Sequence, residues 1–135
     1  MSHASWELQK ALYGALIADV TLAGLLGGAS IYDRAPPDAS FPYVTFADAS
    51  AEDWSTQTSA GKLHIVIIDV WSRATGRAEP LQIAEAIEAA LAGASLSLSG
   101  HNLVNLHLST GEIGIDEDGE TFHGVLQYRI VTEAT

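Results

Sequence analysis

Residues 62–73, KLHIVIIDVWSR, constrain this chain more than any other stretch. In an extended backbone Leu63, Ile65 and Ile67 fall on one side, and His64, Val66, Ile68 and Val70 on the other. A strand that is apolar on both sides belongs at the centre of its sheet. The rest of the chain must therefore supply neighbouring strands and a helical cover. Trp71 shares the side of Ile65 and Ile67, so it is expected in the core with them.

The flanking segments supply those partners. Residues 5–19 read as an amphipathic helix, with Ser5 as N-cap and Glu7 in the first turn. Leu8, Leu12, Ala15 and Leu16 make its buried stripe, widened by Trp6, Tyr13 and Ile17. A short helix over residues 21–26 ends at Gly27-Gly28. Residues 31–34 begin a strand that Pro36-Pro37 stops, and residues 42–51 read as a second strand. Residues 51–61 are rich in Ser, Thr, Asp and Gln, as in a mobile loop or a long hairpin tip.

Residues 75–91 form the second main helix. Pro80 is tolerable only near its start, and Gly93 stands as its C-terminal cap. Its buried stripe is Ile83, Ala84, Ile87, Ala90 and Leu91, with Gln82, Glu85 and Glu88 towards water. Ile87 and Leu91 are expected to pack on Ile65 and Ile67. Residues 102–109 read as a strand with Val104, Leu106 and Leu108 inward, and residues 113–118 continue or restart it. Asp118-Gly119 is a hairpin signal, and residues 121–132 form the last strand. The order of helix, strands, helix, strands implies an α+β fold: a single domain spanning residues 1–135, with a mostly antiparallel sheet and two main helices packed on it.

Charge and composition limit the function. Seventeen acidic residues against six basic ones leave a net charge of −11. Such a surface repels nucleic acid rather than binding it. No apolar run approaches the ~20 residues of a membrane span. Met1-Ser2-His3-Ala4 lacks a basic region followed by an apolar one, so no signal peptide is expected. With no cysteine in the chain, disulfide and thiol chemistry are excluded, and synthesis in a cytoplasm fits.

No constellation in the sequence points to catalysis, a metal or a cofactor. His101 and His107 have an even spacing that could place them on one strand face, with His64 and His123 on other strands, but no cysteine or His-Glu spacing supports zinc. Asp116-Glu117-Asp118-Gly119-Glu120 imitates part of a calcium loop, yet the twelfth position from Asp116 is Gln127 rather than the required Glu. Ser109, His107 and Glu112 lack a nucleophile elbow. Gly24-Leu25-Leu26-Gly27-Gly28 lacks the Lys-Ser/Thr of a phosphate loop. The chain is therefore read as a non-enzyme. Trp54, beside Asp53 in the polar segment, is either tucked under its own loop or kept for a partner surface.

Several short motifs recur in an informative order. They are Ile31-Tyr32-Asp33, Phe41-Pro42-Tyr43-Val44, Asp53-Trp54-Ser55, Val70-Trp71-Ser72, Gly76-Arg77-Ala78-Glu79, Ala90-Leu91, Gly100-His101, Asp118-Gly119 and Phe122-His123-Gly124-Val125. Together, from Leu8 to Glu133, they resemble the tail-terminator (tail-completion, or head–tail joining) proteins of long-tailed bacteriophages and phage-like gene transfer agents. The resemblance implies a virion structural protein made in a bacterial cytoplasm. It would form a hexameric ring on the tail tube, stop tube growth and join the tube to the head-side stopper or connector, with DNA passing through. It carries over no catalytic residue.

Under that expectation Asp53, Trp54, Ser55 and Thr56 are the candidate partner interface. Asp48, Glu52, Glu112 and Asp116 are candidates to line an acidic channel. The competing readings are another neck protein such as a stopper, a small ligand-binding α+β module, and a small hydrolase. A ring without a bound small molecule separates the first reading from the last two.

Overall fold

The structure is a computed structural model, and it describes residues 3–28 and 30–135. Met1 and Ser2, where a signal peptide would have begun, lie outside the described residues. The elements run α1 (Ala4–Ile17), α2 (Val20–Leu26), β1 (Ile31–Tyr32), β2 (Tyr43–Asp53), β3 (Gly61–Ser72), α3 (Ala78–Ala92), β4 (His101–Ile115) and β5 (Phe122–Ala134). One five-stranded sheet has the order β1-β2-β3-β5-β4. The β1–β2 pairing is parallel, and β2–β3, β3–β5 and β4–β5 are antiparallel. This is the α+β domain that the order of elements implies, with β3 at the centre.

The helices all pack on one face of the sheet. On β3 that face is His64, Val66, Ile68 and Val70, which meet Val44, Phe46, Leu126, Tyr128 and Ile130 from the neighbouring strands. Against them lie Leu8, Leu12 and Leu16 of α1, Leu22 and Leu26 of α2, and Ile83, Ala86, Ile87 and Leu91 of α3. Ile87 and Leu91 are core residues as expected. Their expected partners are not: Ile65 and Ile67 point to the opposite face and are only half-buried. Trp71 stands with them, outside the helix-covered core. The sequence shows two apolar faces on β3, but the identity of the covered face depends on where the helices land.

Other differences have similarly local causes. His3, not Ser5, precedes the first turn of α1, and its side chain makes no capping bond. Glu7 is 6% exposed. It pairs with Lys10 at 2.8 Å and accepts from the Ser99 amide at 3.4 Å. Trp6, Tyr13 and Ile17 do not widen the buried stripe; they are exposed on the far side of α1. The α2 helix begins one residue early because the Asp19 carboxylate accepts from the Leu22 amide at 2.9 Å. It ends at Gly27, whose φ of 75° favours glycine. Pro80 sits in the first turn of α3, where no intrahelical N–H is needed.

The last two strands form a long hairpin closed by Gly119 at φ 73°. Asp118 organises the turn by accepting from the Glu120 and Thr121 amides and the Thr121 hydroxyl. Two bulges interrupt β4, at Val104 and Ser109. The first leaves Val104 exposed instead of inward, and Leu103 takes its place on the covered face beside Leu106 and Leu108. It also puts His101 and His107 on opposite faces, so an even spacing fails to unite them. Among the described residues no group of three His, Asp or Glu side chains is placed to hold a metal.

Two predictions follow from this packing. Ile87→Ala should lower stability by about 2–5 kcal/mol in chemical denaturation. Ile67→Ala should cost clearly less, because Ile67 is already partly exposed and lies outside the helix-covered core. Equal losses would mean that the covered face is misassigned. The second concerns His64, buried in the core and 2.9 Å from the Thr132 hydroxyl. Burial, then the charges of Lys62 and His101, hold its pKa below the usual 6.5. Below 6.5 the unfolded chain takes up this proton more readily than the folded one. The stabilising contribution is therefore complete above the unfolded pKa and is lost as pH falls towards and through the folded value. His64→Gln should flatten the loss of melting temperature between about pH 6.5 and 5, relative to the parent chain. An unchanged slope would refute the assignment.

Candidate functional site

The candidate interface Asp53-Trp54-Ser55-Thr56 lies at the tip of the β2–β3 hairpin. The strand β2 runs through Asp53, so the connecting loop is shorter than its composition suggests. The tip is held by local bonds. The Trp54 amide donates to the Gly61 carbonyl at 2.9 Å. The Ser55 hydroxyl donates to Asp53 Oδ1 at 2.6 Å and accepts from the Gly61 amide at 3.1 Å. The Thr56 amide donates to the Ser59 carbonyl at 2.9 Å, and the Thr56 hydroxyl accepts from the Ser59 amide at 3.1 Å. The Ser55 side-chain and backbone donors hold the Asp53 carboxyl below its usual range, assisted by Lys62. Gly61 is required by close approach: a Cβ there would lie 2.9 Å from the Trp54 carbonyl oxygen.

Trp54 is 48% exposed. It is neither sunk into its own loop nor wholly bare, because the Arg129 guanidinium of β5 lies 5.2 Å from its ring centroid. Arg129 pairs across the strands with Ile65, on the face without helices. The four named residues thus sit together on an exposed tip, with Trp54 leaning on the open face of the sheet.

A second cluster on that face was not legible as a site in the sequence. Tyr43, Trp71 and His123 are cross-strand neighbours on β2, β3 and β5. Their rings form a ladder: Tyr43 stacks on Trp71 at 6.2 Å, and Trp71 lies nearly parallel to His123 at 4.0 Å. Tyr32 and Phe41 extend it at 6.0 and 5.0 Å from Tyr43. The Arg73 guanidinium covers Phe41 at 4.3 Å. Trp71 Nε1 donates to the Thr45 hydroxyl at 3.0 Å.

His123 lies between two carboxylates. Its Nε2 is 3.0 Å from Asp69, in an off-line contact rather than a straight hydrogen bond, and its Nδ1 is 3.7 Å from Asp116. The cluster unites motifs 41–44, 70–72 and 122–125. A single sequence holds the residues but not the register that stacks them.

His107, Ser109 and Glu112 do not form a relay: Ser109 is the bulged residue, and His107 Nδ1 faces Asn105 Nδ2 at 3.4 Å. The acids proposed for a channel are dispersed. Asp48 and Glu52 are exposed on β2, Glu112 is exposed on β4, and Asp116 is partly covered beside His123.

Comparison with known proteins identifies relatives of the whole chain. A family model described as tail completion protein gp17 matches residues 10–133. The tail completion protein gp17 of Bacillus phage SPP1 is 32% identical over 92 residues, which cover 68% of each chain. The fold superposes on a chain of the virion of a native gene transfer agent particle with a TM-score of 0.88 and 34% identity, over 98% of this chain and 100% of the other. It superposes on the structure of bacteriophage SPP1 gp17 with a TM-score of 0.67 and 29% identity, over 94% and 89% of the two chains. The chain belongs to the tail completion protein gp17 family.

Proposed function

We propose that this chain is the structural ring subunit that ends a phage-like tail. A hexameric ring of it caps the tail tube, stops tube growth and joins the tube to the head-side stopper or connector protein, and DNA passes through. The observation that carries this reading is the end-to-end superposition on a chain of a gene transfer agent virion. The chain then works in the tail or neck of a particle, after synthesis in a bacterial cytoplasm, and performs no catalytic step. No helix among the described residues is long and apolar enough to cross a membrane.

The charge distribution supports passage of DNA without retention. Of the six cationic residues, Lys10, Arg73, Arg77 and Arg129 each lie over an aromatic ring. Arg73 is also 3.8 and 3.6 Å from Asp118 and Glu120. These cations are dispersed over separate ring contacts, and the surplus of acids repels the duplex. The channel is therefore lined more by acids and neutral polar groups than by Lys and Arg, with Asp48, Glu52 and Glu112 the exposed candidates. The hairpin tip, Asp53 to Thr56 with Trp54 foremost, is the contact with a neighbouring subunit or the tail tube.

Removing the gene from a particle-producing host should leave unjoined heads and tails of uncontrolled length in electron micrographs. Normal particles would end this reading. The purified protein should show no measurable affinity for duplex DNA at physiological salt; a salt-dependent complex tighter than about micromolar would contradict a passive channel. The tip makes a separate prediction. Hydrogen exchange at residues 51–61 should slow when the protein assembles, and equal protection in the free and assembled states would remove the tip from the interface.

A further inference from the structure

Apart from Val20 at the start of α2, the exposed large apolar residues of the helical layer fall on two separate surfaces. On α1, Trp6, Lys10, Tyr13 and Ile17 follow one another at helical spacing, on the side opposite the buried Leu8, Leu12 and Leu16. Trp6 is 55% exposed, and Tyr13 and Ile17 are each 39% exposed. Lys10 supplies the stripe's charge: it lies 5.7 Å from the Trp6 ring centroid with its side chain 48% exposed. A stripe that is apolar and cationic stands out on a chain with a net charge of −11.

The second surface is a groove between α3 and the edge strand β4. Leu81, Leu108, Ile113 and Leu126 make its apolar floor and wall; Glu85 and Glu88 stand on its α3 rim, Arg77 lines it before the helix, and Glu112 lines it on β4, so an occupant here takes Glu112 out of the channel. Leu81 is 48% exposed. The two surfaces lie over different halves of the sheet. The α1 helix faces β2 and β3 across Phe46, Ala49 and Val66, whereas α3 borders the groove on β4.

We propose that the α1 stripe of one subunit seats in the α3–β4 groove of the next, a second copy of the same chain. Charge agrees with this partner: Lys10, half-exposed and also paired with Glu7 at 2.8 Å, meets Glu85 and Glu88, while groove against groove would bring acids together. Shape agrees: a stripe of large side chains faces a concave apolar surface. Contact between two different surfaces of identical chains is heterologous, and repeated with closure it generates a ring. The inference rests on the ring reading and assigns it an interface, one distinct from the hairpin tip.

The absence of native cysteine makes the test direct. Tyr13→Cys and Leu81→Cys replace exposed side chains and are made singly and together. A second pair, Ile17→Cys with Glu88→Cys, guards against one unsuitable geometry. Each protein is concentrated, its assembly state is measured by sedimentation, and it is treated with a short thiol cross-linker. The double variants should give a ladder of linked subunits. Mixed single variants should give linked dimers only, and each single variant alone should give none. Subunits that assemble without this pattern, or single variants that link to themselves in a two-fold contact, overturn the proposed interface and leave the ring reading standing. Subunits that stay monomeric in solution are cross-linked again on isolated tail tubes, where subunits bound without the ladder overturn the interface and subunits that do not bind overturn the ring reading together with it.

Discussion

The pairing of β3 on both sides holds this molecule together. From Gly61 to Ser72 it is in register with β5, and over nearly the same length it is paired with β2. Its backbone polar groups are thereby satisfied by strands rather than by water, so the middle of the sheet can be dry. On that foundation Val66, Ile68 and Val70 present the surface against which all three helices bury their leucines and isoleucines. Two polar groups drawn into the same layer have partners, whereas the buried Tyr128 hydroxyl has none among the described residues: His64 meets Thr132, and the Ser72 hydroxyl donates to Glu79 at the start of α3. That last bond ties the end of the central strand to the helix that follows it.

A single helical layer leaves the other face of the sheet without a cover of its own. Stacked rings take up part of that role. Tyr43, Trp71 and His123 lie across three strands, and arginines from β5 and the segment after β3 close over Trp54 and Phe41. Rings and guanidinium planes protect apolar surface while keeping a polar side towards water. The arrangement also bears on charge. Four of the six cations of this acidic chain lie over its own aromatic rings.

The same economy of layers makes the domain suited to assembly. A sheet with one bare face, a long edge strand and a helix whose outer side is aromatic offers more contact surface than a fully enclosed fold. The bulges in β4 leave Val104 exposed and bend the edge, a common means of discouraging indiscriminate strand pairing. Contact is thereby directed away from backbone edges and towards side-chain surfaces, where specificity between copies and partners can be encoded.

Local chemistry made much of this legible in the sequence. The doubly apolar run placed β3 at the centre, Gly27 ended α2, Pro80 marked the first turn of α3, which begins at Ala78 rather than at residue 75, and Asp118-Gly119 turned the last hairpin. The ordered motifs pointed to the family. What sequence could not decide was which face, which register and which partner. The apolar set of Ile65, Ile67 and Trp71 was as good a core as Val66, Ile68 and Val70 until the helices covered one of them. A single inserted residue at Val104 reversed the sides of everything before it, because side chains alternate with a period of two. Trp6, Tyr13 and Ile17 read as core by hydrophobicity, but the sheet can cover only one side of a helix and Leu8, Leu12 and Leu16 occupy it. The aromatic ladder depends on residues far apart in the chain meeting across strands. Hydrophobic period and turn chemistry are properties of neighbours in sequence; covered face and register are properties of neighbours in space, and only the tertiary structure supplies those.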